Sequence, residues 1–440
     1  MSTAEALRGA LEDASPGDVV ELTAGTYEGS FSVPPGVTLA GAGMDLTEIV
    51  APTELDALVV TGGADGEQNT LIRDMRITTT GGFGVRGSAG FIQMMGVHVV
   101  VLRGAGIGIE SASSFEAQRV RIEGPVTEAT ATSVEPEPTV ATTATHGLVL
   151  FEVSNAVLTS FTVTGTADVA ALLVGSEAEF IDSTVSDVLG TGLYVLGGEA
   201  SIVGLEVENV FHGVRLVPSY GVVVVGDAQV TSLDLAVRGS EDVGVLQVAA
   251  SSEHERIAIS GNRNGGVWVQ NSPLFRATDG TIDTNGLVGV LLAEVGEALV
   301  RDVNLAGTEM VTRVGGSGRA DYGDGIQLQR PGGEHLIERV SFANSARVGF
   351  LMDGGGASLE SVLLTGCDVG GEGMQLGAVA QNGSAPPGWD DGMARDTVTA
   401  ANDLTVTAPL DILGIVAPTE IRGADMVVGV GLSGIVAPTE

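Results

Sequence analysis

GVWV, residues Gly266–Val269, is a glycine followed by apolar residues that flank a different one. Alternation at period two sends Val267 and Val269 to one side of a strand and Trp268 to the other. The phrase recurs as GVRG at Gly84, GIGI at Gly106, GLVL at Gly147, GLYV at Gly192, GVRL at Gly213 and GVLQV at Gly244. It continues as GVLL at Gly289, GIQL at Gly325, GFLM at Gly349 and GMQL at Gly373, and ALLV at Ala171 fills one gap. Neighbouring starts such as Gly84 and Gly106, or Gly266 and Gly289, lie a little over twenty residues apart, and the longer gaps hold insertions.

A second alternating phrase follows each glycine phrase: FEAQRVRIEG from Phe115, FIDSTVSDV from Phe180, SIVGLEVENV from Ser201 and ALVRDVNLAG from Ala298. Helical spacing is absent from these units. Two or three short strands per coil, with Gly, Asn and Asp at the corners, predict an all-β solenoid. One coil cannot bury its apolar face alone, so stacking supplies the partner. The phrase glycines are expected at sharp corners that need φ > 0 and close backbone approach.

The third residue of each phrase then forms an outward ladder: Arg86, Gly108, Val149, Leu173, Tyr194, Arg215, Leu246, Trp268, Leu291, Gln327, Leu351 and Gln375. Tyr194, Arg215, Leu246 and Trp268 are expected on consecutive coils, spanning ~14 Å at the inter-strand spacing.

The expected layout is a helix within 1–18, coils over 19–382 with insertions at about 125–145 and 308–324, and terminal coils or an appendage over 383–440. In STAEALRGALEDASPGD, Ser2 and Glu5 read as a capping box, Leu7, Leu11 and Ala14 share a face, and Pro16-Gly17 stops the helix. Such a helix would hide the open edge of the first coil.

The opening residues, AEALRGALEDASPGDVVELTAGTYEGSFSVPPGVTLAGAGMDLTEI, resemble the N-terminal entry of pectin-lyase-like right-handed parallel β-helix proteins. The likeness rests on the helix, the Gly25–Glu28 stretch GTYE and the Val37–Gly43 stretch VTLAGAG, and the glycine phrases extend it over most of residues 1–380. It implies a single-stranded right-handed parallel β-helix with an N-terminal cap helix. That fold hosts lyases, hydrolases, esterases, adhesins and phage tail parts, so it does not choose a function. Glycosidase-type members carry Asn-x-Asp, Asp-Asp, His-Gly and Arg-x-Lys. Here His146-Gly147 and His212-Gly213 sit at coil starts and Asp390-Asp391 lies outside the coils, while Arg-x-Lys cannot occur because the chain has no Lys.

Charge narrows the partners. Fifty-six acidic residues face 20 basic ones, a formal net charge of −36. With no basic footprint to release counterions, nucleic acid is not an expected partner. No run of 18 apolar residues suggests membrane insertion. The lone Cys367 can form no internal disulfide. Folded-looking sequence from the start points to a cytosolic chain or to an extracellular or cell-surface region written without its export signal.

Two sets of residues are candidates for chemistry. Tyr194, Arg215, Trp268 and Gln327 form an outward track on which aromatic faces stack on sugar rings and Arg or Gln donate to hydroxyls or carboxylates. The alternative to an open track is a cover formed by the insertion from Pro125 to Thr145. Asp321 and Asp324, in the RADYGDG stretch that ends the second insertion, could hold a cation such as calcium or serve with Arg215 as a catalytic set. No other cofactor is implied. The leading expectation is a non-catalytic extracellular scaffold or adhesin that binds glycan or assembles with itself. The alternative is a polysaccharide lyase or glycoside hydrolase acting on acidic polysaccharide.

IVAPTE occurs three times, at Ile49–Glu54, Ile415–Glu420 and Ile435–Glu440. Proline cannot donate to a ladder, so Ala-Pro marks a strand leaving its sheet and the hexapeptide reads as a reused coil corner. The other reading is an exposed last strand that pairs with another copy.

Overall fold

The computed structural model describes residues 3–65, 68–126, 145–212, 219–309, 311–315, 318–329, 332–345, 348–353, 356–360, 363–365, 376–381, 403–407 and 411–413. Side chains beyond Phe350 and those of 311–322 lie outside the description. Two compact units divide the chain, Met1–Val230 and Thr231–Glu440. Each is a parallel β-solenoid whose coils visit three sheets in turn.

In the first unit the first sheet stacks strands such as Val19–Glu21, Thr38–Ala40 and Ala156–Thr159. The second stacks Gly25–Glu28, Thr47–Val50, Arg121–Glu123 and Thr162–Thr164, and the third stacks Phe31–Val33, Leu58–Thr61 and Thr145–Phe151. The long extended segments Thr70–Ser88, Phe91–Glu110, Val169–Leu189 and Thr191–Phe211 each pass through all three. In the second unit, Ser251–Glu255, Ala258–Ser260 and Gly265–Gln270 are one coil, matched in register by the coils that follow.

Stacking explains the core. Along the second sheet of the first unit, Tyr27, Ile49, Ile77, Val99, Ile122, Val163, Val185 and Val207 follow one another in register, and all are buried. β-Branched side chains suit this pleated, layered interior. In the second unit Ile259, Ile282, Leu305 and Phe342 do the same. Val267 and Val269 are buried and Trp268 is half-buried on the outer side, as the alternation predicts.

The corners correct the expectation about glycine. Positive φ falls one residue after the first-sheet strand, at Asp74, Gly96, Arg119, Ser160, Asp182 and Gly204, and at Asp234, Arg256, Asp279, Asp302 and Arg339 in the second unit. These single-residue corners are mostly Asp, Arg, Ser or Gly; Asp and Gly tolerate the left-handed region with least cost. In the second unit the charges interleave, with Arg256 gripping Asp234 at 2.6 and 2.7 Å and Arg339 gripping Asp302 at 2.6 and 2.7 Å.

The phrase glycines do a different job. A Cβ on Gly266 would lie 2.5 Å from the Gly289 carbonyl oxygen and 2.8 Å from Ile282, and one on Gly106 would lie 2.6 Å from the Gly147 oxygen and 2.7 Å from Ile122. Close approach of the neighbouring coil therefore demands glycine there.

One helix, Ala4–Asp13, precedes the coils and buries Leu7 and Leu11. Its N-cap is Thr3, whose Oγ1 accepts from the Ala6 amide at 3.2 Å, one residue later than the Ser2–Glu5 box predicts; Ser2 lies outside the described residues. No helix among the described residues is long and apolar enough to cross a membrane. The first IVAPTE is a coil corner. Ile49 and Val50 end a strand, Ala51 is buried, and a turn at Pro52-Thr53 leads to Glu54 at φ 67°. The other two copies, with Cys367, lie outside the described residues.

Candidate functional site

The corners differ in length, and the difference marks one sheet. From Asp74 onward the corner from first to second sheet turns on a single positive-φ residue, while the first two coils use Leu22–Ala24 and Gly41–Leu46. The corner leading into the third sheet carries the Ala51–Ala57 turn and the stretch from Gly124 to Thr145 in the first unit. In the second unit it carries Gly307 to Gly323, which contains an antiparallel hairpin of Val311–Gly315 and Gly318–Tyr322. Residues 127–144 of the first insertion lie outside the described residues. Insertions on a solenoid collect beside the binding face, which directs attention to the outer side of the third sheet.

The outward row there is continuous in register within each unit. In the first it runs Val59, Arg86, Gly108, Val149, Leu172, Tyr194 and Val223. Three expected positions change. Leu172, not the buried Leu173, occupies its step, because that coil's phrase begins at Ala170 rather than Ala171. The step after Tyr194 belongs to Val223, since Tyr220–Val225 forms the strand. Arg215 and Gln375 lie outside the described residues, and the step after Leu351 belongs to Val379.

In the second unit Leu246, Trp268, Leu291 and Gln327 follow one another. Trp268 lies across Gly265, where a Cβ would stand 3.0 Å from its Cδ1. Tyr194 belongs to one unit and Trp268 and Gln327 to the other, so each stands in its own unit's row. The acidic pair fares differently. Asp324 is fully buried, starting the strand Asp324–Gln329 opposite Val288. Asp321 is in the hairpin, paired by backbone with Thr312, and its side chain lies outside the description. Among the described residues no group of three or more His, Cys, Asp or Glu could hold a metal ion.

A cleft of about 270 Å³ opens on the third sheet of the first unit, lined by Phe83, Arg86, Gly108, Ile109, Glu110, Val149 and Phe151. Gly108 creates it. With no side chain at this step of the row, the Phe83 ring folds over the gap, and a Cβ there would sit 2.7 Å from the ring's Cδ1. The Phe83 amide donates to Asp56 Oδ1 at 2.8 Å, and the Arg86 guanidinium stands 3.9 Å from Asp56 Oδ2. Glu110 and Phe151 are register partners, and Phe151 is 41% exposed. Two aromatic rings, a guanidinium and a carboxylate thus share one shallow, mostly apolar depression.

Sequence reading placed Arg86 and Gly108 only as steps of the row and missed Phe83, Glu110 and Phe151. The available signal was aromatic residues standing at both ends of third-sheet strands beside a glycine in the outward row.

Comparison with protein-family models and with curated proteins gave no match. Among solved structures, the chain is similar to the catalytic domain of a GH87 alpha-1,3-glucanase in complex with nigerose, at 13% identity and a TM-score of 0.42. The similarity covers 92% of this chain and 66% of that domain, so the chain spans just under two thirds of its length. It is also similar to the periplasmic alginate epimerase AlgG (12% identity, TM-score 0.44, covering 83% of this chain and 78% of that one). A third is the A-module of the Azotobacter vinelandii mannuronan C-5 epimerase AlgE4 (17% identity, TM-score 0.34, covering 93% and 100%). The chain is a parallel β-helix by its own strand pairing, and its likeness to these proteins is one of fold alone.

Proposed function

We propose that this protein acts on polysaccharide, holding a short stretch of glycan in the third-sheet cleft of its first unit. The observation that carries this reading is the cleft itself. Sugar rings present flat C–H faces that pack on exposed aromatic rings, and Phe83 and Phe151 offer two. Arg86 can donate to hydroxyls and Glu110 can accept from them. A net charge of −36 disfavours a strongly acidic polymer, and Asp56 already faces Arg86, so a neutral glycan suits this cleft better than the acidic one expected from sequence. The reading carries with it a place outside the cytosol, where such polymers are met.

Nothing in the described residues favours a scaffold or adhesin over a role in polysaccharide turnover. Self-assembly through the last strand rests on residues outside the description. The catalytic form of the proposal assigns Glu110, the one carboxylate among the described residues that line the cleft, as the acid–base group. Affinity electrophoresis in gels containing neutral glucans or mannans, alginate or polygalacturonate tests the proposal. Retardation by a neutral polymer, lost on Phe151→Ala, is expected; unchanged mobility in every gel overturns it. Product release by the wild type that disappears in Glu110→Gln would establish turnover.

A further inference from the structure

The second sheet of the first unit carries a feature that the glycan reading does not use. Its outward row runs Glu48, Arg76, His98, Arg121 and Thr162 on successive coils. Three cationic or protonatable groups therefore stand side by side on a chain with 20 basic residues among 440. Coils repeat at about 4.8 Å, so the Cα atoms of Arg76 and Arg121 lie roughly 10 Å apart with His98 between them.

The neighbouring carboxylates leave much of this donor capacity unspent. Glu48 accepts from Thr78 Oγ1 at 2.8 Å and stands 3.7 Å from Arg76 Nε, beyond hydrogen-bond reach, and that nitrogen is buried without a hydrogen-bond partner among the described residues. Glu123 meets His98 Nε2 and one Arg121 nitrogen, each at 3.1 Å, from the side of the row facing the third sheet. On the opposite side the corner residue is Gly96, at φ 60°. A Cβ there would meet Asp74 Oδ1 at 3.1 Å and nothing else within 4 Å. Asp74 is itself held by Arg73 at 2.7 Å, and the corner of the next coil is the exposed Arg119. The result is a notch beside Gly96, edged by the Asp74 carboxylate, in a row where an imidazole stands between two guanidinium-bearing residues.

We infer that this notch binds an oxyanion, a carboxylate, sulfate or phosphate group, between Arg76 and Arg121, with His98 lining the site. Planar guanidinium forks suit such anions in bidentate fashion. Glu123, on the same outer face, holds His98 and Arg121 from the third-sheet side of the row. The anionic group is one carried by a small molecule or a substituted sugar. A polyanion such as nucleic acid would meet the protein's overall negative charge.

Titration of the intact protein with inorganic phosphate, sulfate and glucuronate, followed by NMR of the His98 ring protons, tests this. A saturable shift is expected, weakened at least tenfold in Arg76→Gln/Arg121→Gln and unchanged in Arg276→Gln, which alters a half-buried arginine of the second unit. The relative affinities of the three probes identify the source of the group. The inference is overturned if the ring protons do not move, or if the double variant titrates like the wild type while its circular dichroism matches that of the folded protein. The third-sheet cleft is untouched by these substitutions, so failure here leaves the glycan reading standing.

Discussion

The ring of Phe83, a residue of the neighbouring coil that pairs with Ala105, occupies the space that a side chain at Gly108 would fill. The relationship ties a steric fact to the proposed function. A β-branched residue at Gly108 should push Phe83 off its seat and into the cleft. Gly108→Val is expected to lower glycan affinity by about tenfold, roughly 1.4 kcal/mol, with the fold intact, as read by isothermal titration calorimetry beside circular dichroism. Affinity equal to wild type would show that the cleft does not depend on this seat.

Gly266 is held to glycine by its neighbours rather than by its dihedral angles. A methyl group there must displace the Gly289 carbonyl, 2.5 Å away, or Ile282, 2.8 Å away. Overpacking of this kind costs about 1–3 kcal/mol. Chemical denaturation of Gly266→Ala should show that loss. Gly261→Ala, at a corner with φ 65° and open space around it, is expected to lose stability through backbone strain alone.

His254 should make stability depend on pH. It is buried, its Nδ1 is 2.7 Å from Ser232 Oγ, and its ring stands 5.9 Å from that of Phe275. Burial pushes its pKa from the ordinary histidine value of 6.5 down to about 4. Between those values the unfolded chain binds a proton that the folded chain refuses. Stability is therefore fully present above pH 6.5 and declines as pH falls towards 4, by up to about 3 kcal/mol. His98 and His335, both lowered first by burial, act in the same direction. Denaturation midpoints at about pH 7 and about pH 4.5 check this. The gap should narrow in His254→Gln, and an unchanged gap would assign the acid sensitivity elsewhere.

Much of the fold was legible because it repeats. A period of a little over twenty residues, with valines two apart, fixes which side chains face inward, and Val267, Val269 and Trp268 stand where that alternation puts them. Local irregularity was harder to read. Ala170 fills a phrase position normally held by glycine, and this hid the true register of Leu172. Tyr220–Val225 takes the step at which the GVRL phrase was expected, and its Val222, Val223 and Val224 are buried.

The site was less legible for a geometric reason. Phe83, Gly108 and Phe151 are far apart in sequence and meet only because coils stack, and the space left by a missing side chain cannot be seen in a motif. Asp324 shows the converse. Its place in a Gly/Asp stretch suggests an exposed ligand, but strand register turns its side chain into the interior.

Everything proposed about function depends on glycan sitting on Phe83 and Phe151. Calorimetry with the polymer that retards the protein most, comparing wild type with Phe83→Ala/Phe151→Ala, addresses that placement without intermediaries. At least a tenfold loss of affinity is predicted, in a variant whose circular dichroism is unchanged. Equal binding by both proteins would contradict it.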